Sequence, residues 1–124
     1  MSLPGVHQPR GRHLLLDLSG IDADTLTDPA GIERLLRDAA ALAGATPLST
    51  QFHHFGADAG VTGVVLLQES HISIHTWPEH GFAAIDIFMC GETRPEDAAQ
   101  HLIEKLKPCR HEVRTVMRES VQTR

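Results

Sequence analysis

Tyrosine is absent from the 124 residues, tryptophan occurs once and phenylalanine four times, so each ring can be weighed individually. Cysteine is equally scarce. The two thiols, Cys90 and Cys109, cannot build a disulfide framework, and in a reducing compartment both stay reduced. No apolar run approaches the roughly 20 residues that span a bilayer. The opening M-S-L-P-G-V-H-Q-P-R lacks the cationic-then-apolar order of an export signal, so a cytoplasmic location is expected. Positive charge is also short. A formal net charge of −5 without a basic block offers phosphates no counterpart, so neither nucleic acid nor a membrane is expected as a partner.

What is present is ordinary in bulk, with 22% charged and 41% hydrophobic residues, as one folded domain requires. Residues 1–10, with two prolines and a glycine, read as an N-terminal arm, 11–118 as a single domain and 119–124 as a polar tail. The segment 12–19 predicts a strand. D-P-A-G-I-E-R-L-L-R-D-A-A-A-L-A-G predicts a helix, with Asp28 as cap, Pro29 in its first turn, one apolar face and Gly44 as its stop. Strands are expected over 46–55, 61–68, 70–76, 82–90 and 112–118. Between the last two, Thr93 and Glu96 suggest a capping box opening a helix that Pro108 ends. The expected fold class is α+β, a two-layer α/β sandwich with a mostly antiparallel sheet and two helices on one face.

The chemistry is concentrated in one stretch, Q-E-S-H-I-S-I-H-T-W-P-E-H-G-F-A. Along a strand His71, Ser73 and His75 share one face, with Ile72 and Ile74 on the other. In A-I-D-I-F-M-C the face of Asp86, Phe88 and Cys90 opposes that of Ile85, Ile87 and Met89. If the isoleucine faces meet the helices, imidazole, hydroxyl, carboxylate and thiol lie together on the uncovered side. A metal centre is one reading, drawing on His71 and His75 with His80 or the pair His53–His54. H-x-x-x-H marks a metal site chiefly on a helix, however, and ordinary hydrogen-bonded histidines are favoured over a metal. A thiol hydrolase using Cys90 and His75 is weaker, because M-C-G lacks a nucleophile-elbow turn.

The run E-S-H-I-S-I-H-T-W-P-E-H-G-F-A-A-I-D-I-F-M-C-G resembles the signature of the bacterial and archaeal S-adenosylmethionine decarboxylases. G-R-H-L-L-L-D-L, A-G-A-T-P-L-S-T-Q-F-H-H-F and G-V-T-G-V-V resemble further segments of that family in the same order. The resemblance spans roughly residues 11–107.

That resemblance implies an inactive precursor that cuts itself between Glu69 and Ser70, giving a β chain 1–69 and an α chain 70–124. Ser70 would become a pyruvoyl group, the cofactor, with no metal involved. It would form a Schiff base with S-adenosylmethionine and serve as electron sink. Carried over residue by residue, His75 is the processing histidine, Thr62 assists the acyl shift, Cys90 donates the proton after decarboxylation, Glu79 binds the ribose hydroxyls and Phe55 stacks on adenine. The resemblance also implies a homodimer of processed protomers whose site draws on both chains, and a product that donates aminopropyl groups for spermidine. Thr62 stands where serine is usual, Asp17 where glutamate is common, and the C-terminus stops earlier than in many members. Rival readings are a pyruvoyl relative acting on ornithine or arginine, and an uncleaved regulatory or metal-binding module.

Overall fold

Leu14, Leu16 and Leu18 alternate with His13, Leu15 and Asp17 along the first strand, and the three even-numbered leucines are almost wholly buried. The same alternation recurs in every central strand and fixes which side of the sheet receives the helices. The computed structural model describes residues 8–121; most of the expected arm and the end of the tail lie outside them. Its elements are β1 (Arg10–Ser19), α1 (Ala23–Leu26), α2 (Pro29–Leu42), β2 (Pro47–His54), β3 (Val61–Leu67), β4 (Ser70–Trp77), a 3₁₀ turn (Pro78–His80), β5 (Phe82–Cys90), α3 (Pro95–Leu106) and β6 (Arg110–Glu119). The six strands form one sheet in the order β2-β3-β4-β5-β1-β6, with every neighbouring pair antiparallel. Helices α2 and α3 pack on each other and on the sheet. The expected α+β sandwich is observed.

One core lies between the layers. Ile72, Ile74, Ile85, Ile87 and Met89 meet Ile32, Leu36, Ala39, Ala98 and Leu102 there. Asp28 caps α2 by accepting from the Gly31 amide at 3.1 Å, Pro29 follows at the first helical position, and Gly44 takes φ 87 beyond the end, as expected. The capping box is corrected. Pro95 is preorganised for a first helical position and keeps Arg94 out of helical geometry, so Arg94 is the N-cap. The Thr93 hydroxyl instead donates to the Cys90 carbonyl at 2.8 Å, and Glu96 pairs with Arg12 at 3.4 Å.

Helix α1 is an addition to the two helices expected. It is a single turn, too short to display a helical period, capped by Asp22 through the Asp24 amide at 2.9 Å. Its buried Leu26 offers a carbonyl to the Thr76 hydroxyl at 2.8 Å, and that hydroxyl accepts from the Val61 amide at 2.8 Å. The buried polar end of β4 is thereby satisfied. At the far edge β6 is exposed along its whole length. Its charges, including Arg114 paired with Asp17 at 3.0 Å, discourage further strand pairing. Among the described residues no helix is long and apolar enough to cross a membrane.

Candidate active site

The strand registers lay out the uncovered face row by row. Arg114, Leu15, Asp86, Ser73 and Val64 occupy one row, and Val116, His13, Phe88, His71 and Leu66 the next. The expected polar surface on β4 and β5 is there, and β1 adds His13 to it.

Glu69 and Ser70 stand at one end of the sheet. Strand β3 stops at Leu67, one residue earlier than expected, and Leu67 pairs with Ser70, so Gln68 and Glu69 form a two-residue turn. Glu69 is in the left-handed region at φ 58, a conformation that costs a side-chain-bearing residue roughly 1–3 kcal/mol. Cys90 closes the adjacent strand, and its thiol donates to the Glu69 carbonyl at 3.7 Å, within reach for sulfur. Burial, reinforced by the Glu69 carboxylate, pushes the Cys90 thiol above its ordinary pKa. Ser70 and Cys90 share a cavity of about 390 Å³ with Gly44, Ala45, Thr46, Gln68, Glu92 and Thr93. A carbonyl facing a thiol donor, with a hydroxyl on the next residue, suits an internal acyl shift, so the residues fit a self-made pyruvoyl group.

Four of the expected residues lie at the other end. Thr62 sits opposite His75, with its hydroxyl hydrogen-bonded to His75 Nδ1 at 3.1 Å. Phe55 lies just beyond β2, 62% exposed, its ring 4.5 Å from that of His53. Glu79 is exposed in the 3₁₀ turn, which Gly81 closes at φ 60. Trp77, unassigned from sequence, lies 6.3 Å from the His75 ring and 5.4 Å from Phe82. His75 is five strand residues from Ser70, about 16 Å at roughly 3.3 Å each. The chain therefore gathers Glu69, Ser70 and Cys90 at one end of its sheet and Thr62, His75, Phe55 and Glu79 at the other.

Between the two ends lies a network that sequence reasoning only half anticipated. Asp86 Oδ2 accepts from His13 Nε2 at 2.6 Å and His71 Nε2 at 2.8 Å, and Ser73 donates to the other carboxylate oxygen. Burial alone would raise the Asp86 carboxyl, but hydrogen bonds from His71, Ser73 and His13 hold it well below the usual carboxylate range. The same hydrogen bond to Asp86 raises His71, with burial opposing. His13, His71 and Asp86 are the described residues best placed to hold a metal, their ligand atoms lying within 4.8 Å of one another. Arg118 Nη1, a donor only, lies 3.2 Å from His13 Nδ1. That contact keeps the His13 proton on Nε2, directed at Asp86, and the cluster is a hydrogen-bond network. The histidine sets considered from sequence are not what forms. His71 joins His13, which is 58 positions away in the chain, and the H-L-L-L-D alternation of β1 is the signal that could have placed it.

Known proteins resemble this chain in sequence and in fold. Residues 12–119 match the family described as S-adenosylmethionine decarboxylase. A protein of Synechococcus sp. (strain WH7803) named S-adenosylmethionine decarboxylase proenzyme is 49% identical over 111 residues, 89% of this chain and 86% of that one. A proenzyme of the same name from Methanococcus aeolicus is 46% identical over 112 residues, covering 90% and 95%. The crystal structure of the adenosylmethionine decarboxylase from Aquifex aeolicus superposes with a TM-score of 0.82 at 38% identity, covering 94% of this chain and 97% of that one. By sequence and by fold, the chain belongs to the S-adenosylmethionine decarboxylase family.

Proposed function

We propose that the protein is a cytoplasmic, self-processing S-adenosylmethionine decarboxylase working with a pyruvoyl group made from its own Ser70. The observation that carries this reading is the Cys90 thiol set against the Glu69 carbonyl at a strained turn, with Ser70 next in the chain. In the uncut chain the Ser70 hydroxyl attacks the Glu69 carbonyl carbon, and the amide C–N bond gives way to an ester. The Cys90 thiol stabilises the negative oxygen formed on the way. Loss of the Ser70 α-proton then expels the Glu69 carboxylate as the end of a β chain 1–69. The dehydroalanine left at residue 70 takes up water and releases ammonia, giving pyruvoyl at the head of an α chain 70–124. His75 accepts the proton during this elimination, and Thr62, hydrogen-bonded to its imidazole, assists the acyl shift.

The pyruvoyl group supplies an electron sink when CO2 leaves the substrate. The remaining work falls to side chains. Cys90, whose pKa is raised, keeps its proton at neutral pH and delivers it to the carbon that has lost CO2. Phe55 offers an exposed ring to the adenine and to the sulfonium nearby, and Glu79 a carboxylate to the ribose hydroxyls.

Proton transfer requires contact at about 3 Å, yet His75 and Ser70 of one chain are about 16 Å apart. We therefore infer a two-fold homodimer in which His75, Thr62, Phe55 and Glu79 of one protomer meet Ser70 and Cys90 of its partner. Leu66, Trp77 and Val116, all substantially exposed on the uncovered face, support pairing through that face. The product is decarboxylated S-adenosylmethionine, an aminopropyl donor for spermidine. The test is CO2 release from S-adenosylmethionine, ornithine and arginine in parallel. Release from S-adenosylmethionine alone supports the proposal. Release from ornithine or arginine alone would keep the self-cleavage and move the substrate, and no release would favour an uncut regulatory or metal-binding module.

A further inference from the structure

Cleavage between Glu69 and Ser70 would cut the turn that joins β3 to β4, leaving β4 to begin at a free end. Strand ends fray unless something ties them down. The reactive group would sit at that end, attached through the amide nitrogen of His71. The His71 side chain is tied across the sheet. Its Nε2 donates to Asp86 on β5 at 2.8 Å. Asp86 also receives His13 of β1 at 2.6 Å and Ser73 of β4 itself, and His13 is contacted by Arg118 of β6 at 3.2 Å. The Phe88 ring lies beside both imidazoles, 5.4 Å from His13 and 6.2 Å from His71. One carboxylate thus connects the first residues of β4 to two strands that the cut leaves intact.

Resting on the self-cleavage reading, we propose that Asp86 is a positioning residue for the pyruvoyl group: it anchors His71 and so holds the new end of β4 in place after the cut. Before cleavage the turn performs that task, and the anchor is redundant. After cleavage the pairing of β4 with β3 and β5 and the buried Ile72 hold the body of the strand, and this anchor is the side-chain tie on the residue that carries the reactive group. Asp86 acts through His71 and touches neither the scissile bond nor the substrate.

The dependence on cleavage supplies the test. Asp86→Ala and Asp86→Asn are made in the full-length chain, alone and together with Ser70→Ala, which blocks the cut. Intact mass follows cleavage, CO2 release gives kcat and KM, and hydrogen exchange reports on residues 71–77. Asp86→Ala is expected to cleave within about threefold of the parent rate. Its kcat should fall at least tenfold with KM nearly unchanged, since an ångström of misplacement costs roughly 100-fold. Exchange in 71–77 should quicken only in the cut protein. Asp86→Asn, which keeps the acceptor oxygen and can donate to Ser73, should recover most of kcat. His71→Ala should match Asp86→Ala, and the double variant should be no worse than either, the non-additivity of residues acting as a unit. Equal exchange in cut and uncut proteins, or cleavage and turnover falling in the same proportion, would overturn the proposal. Should Asp86→Ala not fold, His71→Ala carries the same comparison, with Asp86→Asn as the near-parent control. A parent chain that is never cut overturns the cleavage reading itself, before any variant is compared.

Discussion

Co-expressing two individually inactive chains, Ser70→Ala and His75→Ala, tests the shared site directly. In the first the scissile bond has no nucleophile; in the second the elimination has no histidine. Within one chain the two positions are about 16 Å apart, several times the reach of a proton transfer, so in the proposed dimer each Ser70 would depend on the partner's imidazole. A mixed dimer then contains one dead site and one intact site. The intact site joins Ser70 of the His75→Ala chain with His75 of the Ser70→Ala chain. Random pairing at equal expression puts about half of all chains into mixed dimers. About half of the His75→Ala chains should therefore be cut and none of the Ser70→Ala chains. Tags of different mass separate the chains, and intact-mass spectrometry counts the fragments. No cut His75→Ala chain in the mixture beyond that seen when it is expressed alone would refute the arrangement.

Removing the Cys90 thiol should slow cleavage and abolish most turnover; full turnover in Cys90→Ala, measured as CO2 release, would remove its role as acid. Because burial raises the Cys90 pKa, the alkaline fall in kcat should lie above the free-thiol value of about 8.5, and a fall centred near pH 7 would contradict that assignment. The lowered Asp86 pKa adds stability above the ordinary carboxylate value of 3.8, lost as pH drops toward the folded value. The raised His71 pKa adds stability below 6.5, lost as pH rises through its folded value. The stability gap between parent and Asp86→Asn should thus be widest from about pH 4 to 6.5 in urea titrations, and a gap independent of pH would count against the ion pair. Ile74 is fully buried beneath the helices, so Ile74→Ala should cost about 2–5 kcal/mol in urea unfolding; a loss under 1 kcal/mol would mean the core is looser than described.

The sheet was legible because the central strands obey period two. Ile72, Ile74, Ile85 and Ile87 declared the buried face, and the polar residues between them declared the other. Helix α2 announced itself through Asp28, Pro29 and Gly44. Its neighbour α1 did not, because one turn bounded by Asp22 has no period to read. The Thr93 capping box misled because Pro95 competes for the same helix start and wins by fixing the backbone. At the site, the resemblance singled out Glu69, Ser70, His75, Glu79 and Cys90 within one contiguous motif, and Phe55 and Thr62 within two separate segments. Their division between opposite ends of the sheet was not legible. A sequence gives spacing along a strand, but which residues meet across a two-fold axis depends on a second chain. His13 escaped notice for a related reason: it reaches Asp86 only because β1 inserts between β5 and β6.

The central claim, that this chain makes its own catalytic group by cutting itself at Glu69–Ser70, is tested most directly by the intact mass of the purified protein. The account predicts two fragments, residues 1–69 ending in a free carboxylate and residues 70–124 beginning with pyruvoyl in place of serine. A single uncut chain, or an α fragment that still begins with serine, would contradict it.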